Sequence, residues 1–468
     1  MSDRQYDLVI IGAGSGGLTA ASFAARLGAK VALVEKHRIG GDCTWTGCIP
    51  SKALLKVAKV AHEARTSSRF GITVGEPVVD MARVRAYVQS AIDSVYKLET
   101  PEQLRDKGID VIQGAARFLD AHNIAVGEDR ISAKYFLIAT GARPAIPAVD
   151  GLEKVPFVTY EQIFSTNVLP ERMLIIGGGP IGLEMAQAFQ RLGAQVTVVA
   201  NEILPKDDAD ARAVIRRALE SEGVQFAAER AAAVKLSGNE VVLTAGSREL
   251  AGDFLLVAAG RKPTVDGLDL ERAGISFSNR GITVDSQLRT NVKHIYAAGD
   301  VTGGFQFTHY AGWQAFQAVR NALLPGSSSG LTDLVPWVTF TDPEVAHIGL
   351  TEAKAKEQFG DAVQVRRLDM SHTDRAVCDG ETQGFTKLIT QSDVILGATI
   401  VAPRAGEAIT EIIVAIKNGL KVADLAGAIH PYPTYSTAIQ QLSADIVVRD
   451  LLDGAYGKVV RGLSKLFR

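Results

Sequence analysis

The sequence predicts an α/β chain: two Rossmann-like units with parallel sheets, followed by a C-terminal α+β domain. Three observations carry this reading. Apolar runs of strand length alternate with helical patterns. The turn Gly12-Ala-Gly14-Ser-Gly-Gly17 links the first strand to the first helix, and Gly177-Gly-Gly179-Pro-Ile-Gly182 repeats that link further on. The 468 residues leave room for roughly three domains of about 150 residues. The expected division is 1–150 and 271–330 for the first unit, 151–270 for the second, inserted one, and 331–468 for the last.

Asp7 to Ile11 is a continuous apolar run and reads as a buried parallel strand. A helical pattern follows to Leu27, with Gly28 as its stop. Val31 to Val34 is the second strand and ends at Glu35. Strand, glycine turn, helix, strand and acid in this order form a dinucleotide-binding unit. The glycines allow a pyrophosphate to approach the helix N-terminus, and Glu35 would accept hydrogen bonds from a ribose. At a constant offset Gly12, Gly14, Gly17, Gly28 and Val31 fall on Gly177, Gly179, Gly182, Gly193 and Val196. Two such units imply two dinucleotides. The same offset carries Glu35 onto Ala200, so the second unit lacks the acid that favours NAD and repels a 2′-phosphate. This tilts the expected nicotinamide cofactor toward NADPH, with NADH as the alternative. Asn201 and Lys206 are the nearest polar candidates for the phosphate, and Glu202 would oppose it.

Between the units, Met81 to Lys107 reads as one long amphipathic helix and Val111 to Ile131 as short strands. Tyr135 to Ala139 is a buried strand closed by Thr140-Gly141-Ala-Arg-Pro. Phe254 to Ala259 ends in its echo, Gly260-Arg-Lys-Pro. Pro325 to Gly330 is a Gly/Ser-rich stretch and reads as a flexible, exposed link.

Two of only three cysteines, Cys43 and Cys48, lie within Gly40 to Lys52, directly after the first unit. Thiols this close to a bound cofactor can form a disulfide and take electrons from it. Pro50 and Ser51 fit the opening of a helix, whose N-terminus favours a thiolate. A structural bridge or two small packed residues is the alternative. Zinc needs four ligands as a rule, and Cys378 is far off in sequence. Cys378 itself reads as a free structural thiol.

The Gly40–Lys52 segment resembles the active-site signature of the FAD-dependent pyridine nucleotide–disulfide oxidoreductases, and the resemblance spans nearly the whole chain. It implies FAD in the first unit, NAD(P)H in the second, and a C-terminal domain for dimerisation that opens near Val338 to Gly349. Electrons would pass from the nicotinamide through the flavin to a Cys43–Cys48 disulfide. Cys48 would face the flavin and Cys43 the substrate. Lys52 would place its ammonium near the flavin N5, with Glu184 as its partner. Thr290 to Asp300 resembles the second FAD fingerprint, with Asp300 at the ribityl and phosphate region. Gly41, Thr140 and Gly141 belong to the same site, with Thr308 and His309 near the pyrimidine. Gly260 would be a further cofactor contact. The implied assembly is a homodimer that shares its active site.

The resemblance breaks near the C-terminus. Disulfide reductases of the family place His-Pro-Thr-x-x-Glu there, with the histidine as proton shuttle. Here Tyr432-Pro433-Thr434 puts Tyr432 at the histidine and Thr437 at the glutamate, with His430 two residues early. Mercuric reductases resemble this chain in having that tyrosine. They also end in a cysteine pair, which Gly-Leu-Ser-Lys-Leu-Phe-Arg lacks. The expected activity is therefore mercuric-reductase-like, with a soft metal ion, a quinone or another small oxidant as acceptor. The alternatives are a dihydrolipoamide dehydrogenase or glutathione-reductase type of disulfide reductase, and a redox-sensing flavoprotein.

A net charge of −2 gives no pointer to nucleic acid. The N-terminal residues run straight into a strand, and no apolar run is long enough to cross a membrane. A soluble cytoplasmic protein is the expectation. Lys458 to Arg468 reads as a short basic amphipathic helix packed on its own domain, with contact to an anionic membrane as the lesser alternative.

Overall fold

The structure is a computed structural model, and it describes residues 3–453 together with 457, 459 and 462. The basic tail, 458–468, therefore lies outside the described residues apart from two positions. The chain divides into two compact units: residues up to Asn201 with Gln225–Thr332, and Glu202–Val224 with the chain from Asp333 on.

The first unit holds both nucleotide sheets. Asp3–Ile11 is the centre of one, flanked in parallel by Val31–Glu35 and Asp129–Ile138, with Ile109–Gln113 beyond Val31–Glu35. Ile295–Ala297 adds a parallel strand against the C-terminal half of Asp129–Ile138, pairing Ile295 with Phe136. The antiparallel strands Asn123–Val126 and Ala116–Asp120 extend the other half. Leu8 to Ile11 are all buried, because a parallel strand covered on both faces can place no polar side chain in water. The second sheet runs Gln225–Ala227, Gln195–Val199, Arg172–Ile176, Phe254–Val257, all parallel. An antiparallel meander, Ala231–Ser237, Glu240–Ala245 and Arg248–Gly252, completes that half. The chain crosses between the two halves at Ala142–Pro144 and Arg261–Pro263, which pair with each other.

The repeat seen in the sequence is a repeat of backbone contacts. A Cβ at Gly12 would stand 2.4 Å from the Ala139 carbonyl oxygen, and one at Gly177 would stand 2.3 Å from that of Ala258. Both residues have positive φ, +103° and +127°, so a side chain there would be strained as well as blocked. Gly17 and Gly182 meet the carbonyls of Gly12 and Gly177 in the same way.

Two local expectations are corrected. The helix read over Met81 to Lys107 is two helices, Met81–Tyr96 and Pro101–Asp106. Pro101 disfavours helical geometry at the residue before it, and Thr100 caps the second helix by accepting from the Gln103 amide. The stretch Pro325 to Gly330 is tied down rather than flexible. Asn321 hydrogen-bonds both the amide and the carbonyl of Ser328, and the Gly330 amide donates to the Ser286 carbonyl at 2.7 Å.

The second compact unit is a five-stranded antiparallel sheet. Its order is Trp337–Thr339, Glu344–Gly349, Val394–Ala402, Phe385–Gln391, Val363–Asp369. Apolar faces of Ala405–Lys417, Val422–Gly427 and Thr437–Asp453 pack against it around Ile348, Leu388 and Ile400. The helix Ala209–Ser221 also belongs here, although it lies between strands of the second nucleotide sheet in sequence. One buried ion cluster pins that helix. Lys387, 1% exposed, sits on a central strand and places its ammonium 2.8 Å from Asp208, 2.8 Å from Asp210 and 3.4 Å from Glu352.

Removing that ammonium leaves the buried Asp208 carboxylate without its cation, a change that costs about 3–5 kcal/mol in comparable buried pairs. Lys387→Met is expected to lower the unfolding free energy of this unit by that amount. Urea denaturation of variant and wild type measures it, and equal midpoints would show that the cluster is no keystone.

Candidate active site

Each nucleotide fingerprint turns a strand end into a helix N-terminus. In the first, the glycine backbones of Gly14 and Gly41 face each other so closely that a Cβ at Gly41 would lie 2.7 Å from the Gly14 Cα. Glu35 ends the second strand at 9% exposure. Its two carboxylate oxygens each accept one backbone amide, from Ala13 and from His37, both at 2.7 Å. Those two bonds fix the carboxylate and leave lone pairs for hydroxyl donors such as those of a ribose. The residues present fit FAD: open glycine backbones at a helix N-terminus, and a fixed acid at the strand end.

The cysteine stretch follows at once. Gly40 has φ +104°, which only glycine adopts without strain, and opens the short helix Gly41–Trp45. That helix is held from outside. The Trp45 indole donates to the Ile39 carbonyl at 2.7 Å, its ring packs 4.9 Å from that of Tyr96, and the Arg38 guanidinium lies over it. Thr44 donates to Glu99 at 3.1 Å. Cys48 is the first residue of the helix Cys48–Thr66, so its sulfur feels the positive end of the helix dipole.

Both cysteines are free and half-buried. The Cys43 thiol hydrogen-bonds the Cys48 sulfur, and this bond pulls the Cys48 pKa down to about 6. The Thr308 hydroxyl, 3.2 Å away, and the Lys52 ammonium act in the same direction, against burial. The same sulfur–sulfur hydrogen bond, with burial, pushes the Cys43 thiol up. The pair is therefore asymmetric: Cys48 is the thiolate and Cys43 holds the proton.

Lys52 lies one turn after Cys48 and pairs with Glu184 at 2.9 Å. Glu184 is buried in the helix Pro180–Leu192, which the second glycine turn starts. Cys43, Cys48, Lys52, Glu184 and Thr308 thus form one cluster across both nucleotide halves. Thr308 and His309 open the helix Thr308–Leu323, where the His309 ring stacks on Phe307. Thr140 donates to the Thr264 carbonyl at 2.7 Å, and the Gly260 carbonyl accepts from the Ala145 amide at 2.9 Å. Gly141 has φ +69°, so both crossing strands start from bonded turns.

The sequence reading assigned no role to Arg261, Asp42 and Tyr160. Arg261 is largely buried and pairs with Asp42 and with Asp300, each at 2.8 Å. Tyr160 donates to Asp42 at 3.3 Å. Asp300 is raised by burial, with the guanidinium opposing that shift. The buried Nε of Arg261 has no hydrogen-bond partner among the described residues. Arg261 stands in the quoted Gly260-Arg-Lys-Pro and Asp42 in the quoted cysteine stretch, but nothing in their spacing says that they meet.

In the second fingerprint Gly179 leads straight into the helix beginning at Pro180. Ala200 follows the strand Gln195–Val199, and its amide donates to the Ala227 carbonyl at 3.0 Å, with the exposed Asn201 next in the chain. No carboxylate stands at the Glu35-equivalent position.

Tyr432, His430, Thr437 and Cys378 belong to the other compact unit. Tyr432 is 69% exposed and donates its phenol to Asp374, whose carboxylate raises the phenol pKa. His430 has a side chain only 6% exposed. Its Nε2 sits 2.8 Å and 2.9 Å from the Glu411 carboxylate oxygens, and its Nδ1 lies 3.1 Å from the Ala428 carbonyl. Thr437 accepts from the Thr434 amide at 3.2 Å, as a turn-forming residue. Cys378 is free, but exposed on the short helix Asp374–Asp379 rather than packed as a structural thiol would be. Among the described residues no group of three or more His, Cys, Asp or Glu could hold a metal ion, and no helix is long and apolar enough to cross a membrane.

Residues 6–315 match the pyridine nucleotide-disulphide oxidoreductase family, and residues 335–443 match its dimerisation domain. A mercuric reductase of Lysinibacillus sphaericus is 35% identical over 94% of this chain and 82% of its own length. A dihydrolipoyl dehydrogenase of Thermus scotoductus is 37% identical over 94% of this chain and 96% of its own. Among solved structures, the HOCl-induced flavoprotein disulfide reductase RclA of Escherichia coli, as a Cu(II) complex, superposes with a TM-score of 0.85. It is 30% identical, over 93% of this chain and 99% of that one. With two glycine-turn nucleotide units, a thiol pair at a helix N-terminus and these matches, the chain belongs to the pyridine nucleotide-disulphide oxidoreductase family and is an FAD-dependent NAD(P)H oxidoreductase.

Proposed function

We propose that the chain is a mercuric-reductase-like enzyme that passes electrons from NAD(P)H to a soft metal ion or another small oxidant through Cys43 and Cys48. FAD, when bound, supplies the two-electron step between the nicotinamide and the disulfide. The chain's own residues then do the rest. Cys48, held near pKa 6, is the thiolate that faces the cofactor. Cys43 keeps its proton and faces the acceptor. Lys52, fixed by Glu184, sets a positive charge beside the pair and favours the thiolate. Oxidising the pair to its disulfide gives up two electrons, which reduce Hg(II) to the metal, and releases the Cys43 proton to solvent.

The observation that carries this reading is the Tyr432–Asp374 pair. Expelling a thiolate from an organic disulfide needs an acid that titrates near neutral pH. A phenol bound to a carboxylate has its pKa raised, so Tyr432 is a poor proton donor. A metal ion bound by thiolates needs no such proton, and a phenol oxygen can help to position it. The Cu(II) complex of the Escherichia coli relative adds Cu(II) to the acceptors worth testing. A homodimer in which Tyr432 serves the partner's thiols accords with the dimerisation domain. The second reading, a disulfide reductase or dihydrolipoyl dehydrogenase, is favoured by the His430–Glu411 pair, a histidine already oriented by a carboxylate. NADPH is the proposed donor because Ala200 leaves the strand end without an acid.

The expected outcome for the thiols is a long-wavelength absorbance from the Cys48 thiolate beside the flavin after two-electron reduction. It should be present at pH 7 and fade as the pH falls through about 6, where Cys48 gains its proton. Cys48→Ser should remove it and Cys43→Ser should keep it; the reverse pattern would exchange the two roles. For the nicotinamide, NADPH should serve at least as well as NADH, and Ala200→Glu should shift the preference toward NADH. A wild-type preference for NADH of tenfold, about 1.4 kcal/mol, would refute the reading of this strand end. For the acceptor, one preparation should be assayed with oxidised glutathione, lipoamide, Hg(II) and Cu(II). Poor disulfide turnover is expected, by the roughly 10²–10⁴-fold that general acid catalysis supplies, beside measurable metal reduction. Tyr432→Phe should slow metal reduction while leaving reduction of the protein by NADPH unchanged. Fast glutathione or lipoamide turnover that His430→Gln abolishes would establish the second reading instead.

A further inference from the structure

Arg261 opens the strand Arg261–Pro263, on which the chain returns from the second nucleotide half to the first. Its guanidinium forks. Nη1 lies 2.8 Å from Asp300 Oδ2, and Nη2 lies 2.8 Å from Asp42 Oδ2. The two carboxylates belong to different parts of the site. Asp42 directly precedes Cys43 in the short helix Gly41–Trp45. Asp300 follows the strand Ile295–Ala297 in the second FAD fingerprint. The Tyr160 hydroxyl also donates to Asp42, and the Arg261 guanidinium lies 5.6 Å from the centre of the Tyr160 ring. We propose that Arg261 is a positioning residue with two separable arms, one holding the Asp42–Cys43 turn and the other holding the Asp300 carboxylate for the flavin.

The geometry makes the arms separable. A planar guanidinium presents donors in a fixed fork, so each carboxylate is bound by its own nitrogen. Through Asp42 the guanidinium neutralises a charge that sits one residue from the redox pair. Glu161, Tyr160, Asp300, Lys36 and His37 are the other titratable groups facing this cluster. Glu161 is raised by burial and by the Asp42 carboxylate. Of these groups Asp42 is the one that adjoins Cys43, and its direct counter-charge is Arg261. Removing the Asp42 carboxylate leaves Arg261 paired with Asp300 alone, makes the surroundings of the pair less negative and favours thiolate. Removing the guanidinium leaves net negative charge and disfavours it. Through Asp300 the same guanidinium orients a buried acceptor, so its loss should weaken flavin binding whatever happens at Asp42.

This inference rests on the redox role proposed for Cys43 and Cys48, and the test separates the two. FAD-loaded protein is equilibrated in glutathione buffers, in which the protein disulfide and two glutathione thiols exchange for the protein dithiol and glutathione disulfide. Alkylation and mass spectrometry give the equilibrium constant, and gel filtration gives the FAD retained. Asp42→Asn should shift the equilibrium toward dithiol by about threefold or more, the scale of a partly exposed charge pair, and keep its FAD. Arg261→Met should shift it toward disulfide by a similar factor and lose FAD about tenfold more readily. Arg261→Lys, which keeps the charge but not the fork, should move the thiols less than about twofold while still weakening FAD retention. Asp42→Asn and Arg261→Met moving the thiols in the same direction, or Asp42→Asn leaving them unmoved, overturns the proposal. If Arg261→Met fails to fold, Asp42→Asn and Arg261→Lys decide it. A wild-type pair that forms no disulfide at any buffer ratio, even in a second series where dithiothreitol carries the exchange past a slow glutathione step, removes the redox reading itself.

Discussion

The contact on which the rest depends is the one between a glycine and a carbonyl at the end of a parallel strand. Gly12 against Ala139, and Gly177 against Ala258, bring two strand ends and a helix start closer than any side chain would permit. That closeness leaves backbone amides facing the place where a pyrophosphate would lie. It also fixes the start of the helix carrying Glu184 and, through Gly14 and Gly41, the start of the cysteine stretch. Everything chemical in the first compact unit is arranged around these two turns.

The chemistry itself is a matter of who holds one proton. Two thiols at ordinary distance from water would be interchangeable. Here the Cys48 sulfur begins a helix, accepts from Cys43 and lies near an ammonium, while Cys43 shares the Thr308 hydroxyl but gives up its hydrogen to Cys48. The asymmetry is electrostatic and local, and it runs against the cost of burial. Lys52 can act in this way because Glu184, drawn from the other nucleotide half, holds its ammonium in place.

The second compact unit works by a different economy. Its sheet buries a lysine, a histidine and several threonines, and one chain of bonds links the lysine, the histidine and Thr399. His347 bonds Thr399, Thr399 bonds Asp208, and Asp208 holds Lys387. Burial pulls the His347 pKa down to about 4, so the imidazole stays neutral and the network keeps one arrangement of donors. The surface of the same unit carries Tyr432 and Cys378, outside that network.

Much of this was legible in the sequence because it is written at short range. A glycine turn between a strand and a helix, a thiol pair before a helix, and an alanine where an acid stands in the first repeat are all readable from spacing. So was the tyrosine in the histidine's place. The helix break at Thr100-Pro101 is also written there, in a cap and a proline. What only the tertiary structure decided are the meetings of residues far apart in the chain. Arg261 with Asp42 and Asp300, Lys387 with Asp208, and His430 with Glu411 have no common period and no shared motif. Local periodicity encodes which face of an element is buried. Which charges then meet depends on how strands cross and where a burial cost must be offset by a partner, and only the folded chain supplies that.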